Sequence, residues 1–533
     1  MNVFQQILAP TGSMWSTILL ALVPLAALLF MLAVLRMTAW LATIIAGVIT
    51  ILIAVWGWHA PLGDSLRSYL YGGLQGAWTI DWITFWGLII FNTLVLTGDF
   101  DRFKTWMVNQ ATIDVRIQTL MLAWAFGALL EGLVGFGYPW AVVVPILVGL
   151  GIVDLEAIRV AALANNAPVS YGALGSPVLA LAAVTGLPLL ALSASIGDMV
   201  AVLALLPPFV LIYLVSGWDG LKEAWPLALV GSFSYILGQW PVAHYLGPYL
   251  PDLSGALVSF WVLFLFVKVW KPKNLRAFGG KIIPAGSQTA VADTSGAFRA
   301  WMPYIILVIV VVLWTGPWSH LPGKFSHKWT VSAISSVTHK SIASTFNFNP
   351  LSGGTAILAS WILIVLFLRP SMDTLKKVFA RTFKQMWGAL LVAFFIFAIA
   401  YIFVFAGMAN SLAFSFSKVG WPFVVLAPIL GWIGVALSGS NTSTNAMFGP
   451  IQAVTGRLLG LPVLLAPTLN SLGAEVGKPI APQTASVGVS TSKFVRSEGE
   501  VIRHNMAWTL IVLAYLILIG LLFYFVFPKE MSV

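Results

Sequence analysis

Glu131-Gly-Leu-Val-Gly-Phe-Gly-Tyr-Pro139, followed by Asn165-Asn-Ala-Pro168, Gly172 and Pro177, sets polar, glycine-rich interruptions into a stretch otherwise apolar enough to be membrane helix. The layout returns as Ser438-Gly-Ser-Asn-Thr-Ser-Thr-Asn445, followed by Asn470, Gly477-Lys478 and Pro482. In hydrocarbon each unpaired backbone amide or carbonyl is costly, so a helix breaks there only where the freed groups face protein or a water-filled cavity. Two repeats with broken helices meeting near the bilayer midplane are how a secondary transporter builds a substrate site.

The rest of the chain agrees. Of 533 residues 59% are hydrophobic and 9% charged, with mean hydropathy +0.94, which no soluble fold of this size accommodates. Runs such as Met14 to Leu35, Met199 to Val215, Leu253 to Val267 and Trp508 to Phe527 recur throughout. They predict an all-α polytopic protein with about 12 to 14 membrane segments. The first run has no basic residues ahead of it and no small-residue cleavage pattern after it, and reads as a retained helix. Cysteine is absent, which removes disulfides, thiolate metal sites and cysteine nucleophiles.

The formal charge of +10 would suggest nucleic acid in a soluble chain, but here the basic residues gather in short loops beside apolar spans. By the positive-inside rule the N-terminus lies outside and the cytoplasmic loops hold Arg36, Arg102, Lys104, Arg116, Lys222, Lys268 to Arg276, Lys376 to Lys384 and Lys493 to Arg503. Lys324, Lys340, Lys418, Arg457 and Lys529 fall outside, and Lys478 falls within the membrane. The run Trp82 to Thr97 then ends inside and its counterpart Trp387 to Phe405 ends outside, as an inverted repeat requires. The expected organisation is N-terminal helices in 1–78 and a first repeat in 79–215, with a re-entrant hairpin near 117–151 and a discontinuous helix near 158–192. Connecting helices fill 216–384, with a cytoplasmic linker near 268–298 and an outer loop near 318–349. The second repeat is 385–527, with its hairpin near 421–460 and its broken helix near 463–491. No structure is assigned to the linker or the outer loop, and His320, His327 and His339 in the latter are too irregularly spaced for a metal site.

A half-helix starting at the midplane aims free amides and the positive end of its dipole at whatever lies before it, which favours a carboxylate. Such ends are expected at Gly135 to Pro139, at Thr442 to Asn445, and after Asn166 and Asn470. A lysine in mid-span costs about 2.5 to 3.5 kcal/mol on insertion scales, so Lys478 has a partner or a task. Its ammonium pairs either with a substrate carboxylate or permanently with Glu475, three residues earlier. Glu131 sits where the first hairpin turns and either exchanges a coupling proton or bonds the hairpin backbone. Asp81 and Asp198 lie near predicted span ends and read as interfacial. Ser440, Asn441, Thr442, Ser443 and Asn445 can hydrogen-bond a hydroxy acid at both ends.

These motifs, Leu130-Glu-Gly-x-x-Gly-Phe-Gly-x-Pro139, Asn166-Ala-Pro-Val169 with Gly172-Ala-Leu-Gly175, Gly439-Ser-x-Thr-Ser443 and Gly477-Lys478 with Ala481-Pro-Gln483, resemble those of the L-lactate permease family of bacterial carboxylate:proton symporters. The likeness covers nearly the whole chain. It implies paired re-entrant hairpins in inverted repeats, elevator-like alternating access, and uptake of L-lactate, with D-lactate or glycolate, together with a proton across the bacterial plasma membrane. It places Gly135, Gly137, Asn165, Asn166, Ser440 to Ser443, Asn445, Asn470, Lys478 and Gln483 around the substrate, with Glu131 and Glu475 as proton-coupling candidates. Where the family pattern has Gly-Ser-Asp-Thr-Ser this chain carries Asn441, and Glu475 is charged where the pattern is not. Tyr138 and Tyr171 are also larger or more polar than the pattern, which broadens the substrate implied from lactate to a short monocarboxylate.

A sodium-coupled or dicarboxylate carrier of the same fold is the alternative, since Ser440 and Thr442 offer oxygen ligands. An intramembrane enzyme is disfavoured: the spans hold no cysteine, no His-Glu-x-x-His and no midplane histidine. No cofactor is expected beyond the coupling proton, and the partners are the small carboxylate and membrane lipid.

Overall fold

The computed structural model describes residues 3–110, 112–135, 137–284, 297–490 and 497–533. Phe136, Lys493 and Arg496, and much of the linker, lie outside the described residues. Eight helices are long and apolar enough to cross a membrane, and one bent pair, Asp154–Ala164 with Val169–Thr185, makes up to nine among the described residues. The larger number expected from sequence counts hairpin arms as well, and those are shorter, as in Tyr138–Gly149 and Phe423–Ser438.

The longest helices run straight through apparent span boundaries. Leu62–Leu96 is a single 35-residue element in which the five residues Ala77–Asp81 form a π turn. Asp81 therefore sits in mid-helix and is buried against protein, next to the apolar run that starts at Trp82. Met372–Ala406 packs along it, and Gly72 and Gly76 admit the close approach: a Cβ at Gly76 would come within 2.8 Å of the Ala393 carbonyl.

At the end bearing the linker, Arg116 is wholly buried. It pairs with Asp114 at 2.7 Å and Glu223 at 3.3 Å and donates to the carbonyls of Gly220 and Asn274. Arg276 closes the cluster on Glu223 at 2.8 Å, so the described part of the linker is folded against the helices. The outer loop is also ordered, as the antiparallel strands His327–Ile334 and Ser341–Phe348. Phe4–Gln5 adds a parallel third strand beside Ala333 and Ile334. The alternation of Trp329, Val331 and Ala333 with hydroxyl residues suits a half-buried strand, so a small sheet joins an otherwise helical protein.

Candidate functional site

The two hairpins and two interrupted helices converge on one cavity. In the first hairpin, Phe126–Leu133 is capped where the Gly135 amide donates to the Glu131 carbonyl at 2.9 Å. Gly135 (φ 65°) and Gly137 (φ 76°) then turn the chain through the left-handed region that glycine alone enters freely. In the interrupted helix that follows, the halves diverge by 67°. Ala173 (φ 46°), Leu174 (φ 57°) and Gly175 (φ 81°) are all left-handed. Two non-glycine residues held that way store about 1–2 kcal/mol each, the kind of strain that clusters at binding sites.

The second hairpin turns at Gly439 (φ 75°), and Ser440 caps Asn441–Leu458 by accepting the Ser443 amide at 3.3 Å. In its partner, Leu465–Gly477 gives way to one tight turn at Lys478–Ile480, extended Ala481, and Pro482–Val489. The break thus follows Gly477, and Asn470 lies inside intact helix, not at the helix start expected from sequence. Gly473 lets this helix touch the hairpin arm: any Cβ there would overlap the Pro428 carbonyl.

The cavity measures about 190 Å³ and is lined by Glu131, Gly135, Val169, Gly172, Ala173, Ser176, Pro177, Gly439, Ser440, Asn441, Thr442, Lys478, Thr484 and Val487. That is below the ~300–1,000 Å³ of sites for larger ligands and suits a small acid. Its charged wall is one ion pair, in which Lys478 Nζ donates to Glu131 Oε1 at 2.6 Å with both residues buried. Asn165 Nδ2 donates to the other oxygen of Glu131 at 3.0 Å. The same cavity is lined by the N-terminus of Asn441–Leu458, with Ser176 and Thr442 hydroxyls 3.3 Å apart.

Glu475 does not take Lys478. Its carboxyl accepts from the Ser170 amide at 3.1 Å and from the Ser170 hydroxyl. Asn445 and Asn470 are not cavity walls either. Gln452 donates to Asn470 at 3.4 Å and Asn470 to Asn445 at 2.9 Å, and Asn445 donates at 3.0 Å to the carbonyl of Pro177, just after the first break. This amide row sutures the second hairpin to the first broken helix.

Asn166 is buried with neither amide atom bonded among the described residues. Ser443 faces a neighbouring cavity, and Gly137 lies against Thr484. The Gln483 side chain lies outside the described residues. Tyr171 is buried with its hydroxyl on the Ser193 carbonyl at 2.6 Å, and Tyr138 packs on Phe91, so neither narrows the cavity.

Sequence reading missed Ser176, Thr484 and Val487, whose lining role depends on where the chain breaks, and it gave no cavity to Asp81. The latter lines the neighbouring cavity with Ser438, Ser440, Thr442 and Ser443. That cavity shares Ala39, Met386, Ala389 and Val392 with a third, of about 410 Å³, bordered by Trp40, Tyr138 and Gln385. No cluster of three or more His, Asp or Glu suited to a metal ion occurs among the described residues.

The motifs gathered here match the model of one family, L-lactate permease, over residues 17–527. The chain belongs to the L-lactate permease family. It is similar to the glycolate permease GlcA of Escherichia coli K12, with 34% identity over 99% of both chains. It is also similar to the L-lactate permeases of Bacillus subtilis 168 (32%, 97% of both) and Salmonella typhimurium LT2 (31%, 96% of both). A looser likeness joins it to two solved structures. One is the YdaH transporter of Alcanivorax borkumensis, with TM-score 0.47 and 16% identity over 88% of this chain and 89% of that one. The other is MtrF of Neisseria gonorrhoeae, with TM-score 0.46 and 13% identity over 87% and 84%. As an L-lactate permease family member the chain is a membrane transporter and not an enzyme, and a multi-pass protein of the plasma membrane.

Proposed function

We propose that this chain imports a short 2-hydroxy monocarboxylate, lactate or glycolate, in symport with a proton. The observation that carries the reading is the Lys478–Glu131 pair on the wall of a small cavity that a helix N-terminus also lines. The names of the relatives supply the substrate class.

The pair itself suggests the coupling. A substrate carboxylate entering the cavity competes with Glu131 for the Lys478 ammonium. When it wins, Glu131 is left in a dry site without its cation, where a bare carboxylate is several kcal/mol unfavourable, and it takes up a proton. The empty site (Lys⁺, Glu⁻) and the loaded site (Lys⁺, substrate⁻, neutral Glu) then carry the same net charge. One proton accompanies one monoanion, the cycle is electroneutral, and each pH unit across the membrane is worth about 1.36 kcal/mol, or tenfold accumulation. The hydroxyls of Ser176, Ser440 and Thr442 border the cavity and are suited to the substrate's own hydroxyl and second carboxylate oxygen.

The three adjoining cavities lead from the site towards Trp40 and Gln385, beside Arg36 and Lys384, a side that loop charge assigns to the cytoplasm. On that reading the conformation is inward-facing, and the two halves are inverted repeats whose sutured hairpins move together past Leu62–Leu96 and Met372–Ala406. The test is uptake of labelled lactate and glycolate by proteoliposomes at two external pH values, with and without an uncoupler, in sodium or choline buffer. Accumulation that follows the pH gradient and ignores sodium is expected. Accumulation that needs sodium, or persists unchanged with the uncoupler, would overturn the proposal.

A further inference from the structure

A third carboxyl stands behind the ion pair, outside the substrate cavity. Asp252, in the first turn of Pro251–Val269, is buried to 1% exposure. Its helix packs on the first hairpin at Gly132, next to Glu131, where an added Cβ would meet Asp252 Cβ at 2.8 Å. Glu131, Glu475 and Lys478 all lie within electrostatic reach of its carboxyl. The buried cluster therefore holds three carboxyls and one ammonium. Lys478 neutralises Glu131, whereas Asp252 and Glu475 are buried with no cation of their own among the described residues, so ionising them there is costly.

A line of polar groups leads away from Asp252 through residues that do not line the cavity. Asp252 Oδ1 accepts from the Tyr235 hydroxyl at 3.0 Å, while Oδ2 is buried and unbonded among the described residues. One turn on from Tyr235 in the helix Pro207–Tyr245, Gln239 is fully buried with both amide atoms unbonded among the described residues. Gly255 lets Pro251–Val269 lie against Tyr235 and Gln239. Gln239 Nε2 and the Tyr171 hydroxyl both border Gly197. Next to it Asp198 accepts from Trp240 at 2.7 Å and stands 3.6 Å from half-buried His244. Buried polar atoms that lack protein partners are where internal water binds, and water between such groups conducts protons.

We propose that Asp252 is the proton-relay acid of this carrier, passing a proton to Glu131 and being refilled through Tyr235 and Gln239 from the His244 end, along a path separate from the substrate's. The proposal rests on the proton-coupled reading above. In the transfer the Asp252 O–H bond breaks as a Glu131 O–H bond forms, and a proton from water on the Gln239 side restores Asp252. The titratable and charged groups facing this acid are Glu131 from the hairpin, Tyr235 from the neighbouring helix, and Tyr171, Glu475 and Lys478 from the interrupted helices. While Lys478 holds Glu131 ionised the relay has no acceptor, so protons wait for substrate.

The experiment measures lactate-induced proton entry, with a trapped pH dye, alongside lactate counterflow at equal pH, in proteoliposomes of wild type, Asp252→Asn, Asp252→Glu and Gln239→Leu. In Asp252→Asn proton entry should fall about a hundredfold, the low end for loss of a positioned proton donor, while counterflow persists. Asp252→Glu should restore proton entry, and Gln239→Leu should slow it without changing lactate affinity. Asp252→Asn carrying protons at the wild-type rate, or Asp252→Asn and Asp252→Glu losing binding and counterflow together, would overturn the relay. A wild type that moves no protons with lactate would instead sink the symport reading itself.

Discussion

Glu131→Gln separates binding from coupling in one substitution. The amide is nearly the shape of the carboxyl and can keep the Asn165 contact, but it cannot hold Lys478 by charge. If substrate displaces Glu131 and the freed carboxyl takes a proton, wild-type binding consumes one proton wherever the empty site is ionised. Affinity then falls as pH rises, tenfold per unit. From pH 6 to pH 8 the dissociation constant should rise about a hundredfold, or about 2.7 kcal/mol. In Glu131→Gln no proton is consumed and the profile should be flat. Lys478 is meanwhile left buried and unpaired, which destabilises the empty protein by about 3–5 kcal/mol. Lactate supplies the missing anion, so ligand-induced thermal stabilisation should be larger in the variant than in wild type. Calorimetric titration of lactate at several pH values, with thermal shift in the same detergent, reads both quantities. A variant that keeps the wild-type slope, or is folded yet blind to lactate at every pH, would refute the exchange of partners at Lys478.

Two further substitutions probe the same region. Lys478→Ala should abolish lactate binding and, by freeing Glu131 to accept protons without substrate, allow proton leak into dye-loaded proteoliposomes; a tight membrane in this variant would contradict the gating role of the pair. Gly137→Ala should lower stability by about 1–2 kcal/mol, because its left-handed backbone disfavours a Cβ and Thr484 lies 3.1 Å from where that atom would sit. Gly149→Ala, in open space at the end of the same arm, should be neutral or slightly stabilising in thermal unfolding.

Much of the site could be read from residues alone, because the features that mark it are locally expensive. Gly135, Gly137 and Gly439 announced the turns, Lys478 stood out as an ammonium inside a span, and the hydroxyl row from Ser440 to Ser443 announced a polar tip. What failed was adjacency. Glu475, three residues before Lys478, looks like its natural partner on a continuous helix. The helix ends at Gly477, however, and the tight turn at Lys478–Ile480 swings the lysine across to Glu131. Asp81 looks like the end of an element because an apolar run starts at Trp82, whereas the helix passes through a π turn and carries the acid to its middle. Asp252 stands just ahead of the run Leu253 to Val267 and resembles the ordinary polar flank of a span. Only packing against Gly132 shows otherwise. The strands of the outer loop were hidden by hydroxyl-rich composition, and the sheet is completed by residues from the far N-terminus.

The ion pair joins position 131 to position 478, so during synthesis the first carboxylate enters the bilayer long before its counterion is made. Until the last spans arrive, the early half must shelter or neutralise Glu131. A nascent chain stopped short of residue 478 is thus marked as unfinished by its own exposed polarity, which gives insertion chaperones and membrane proteases a chemical signal for completeness.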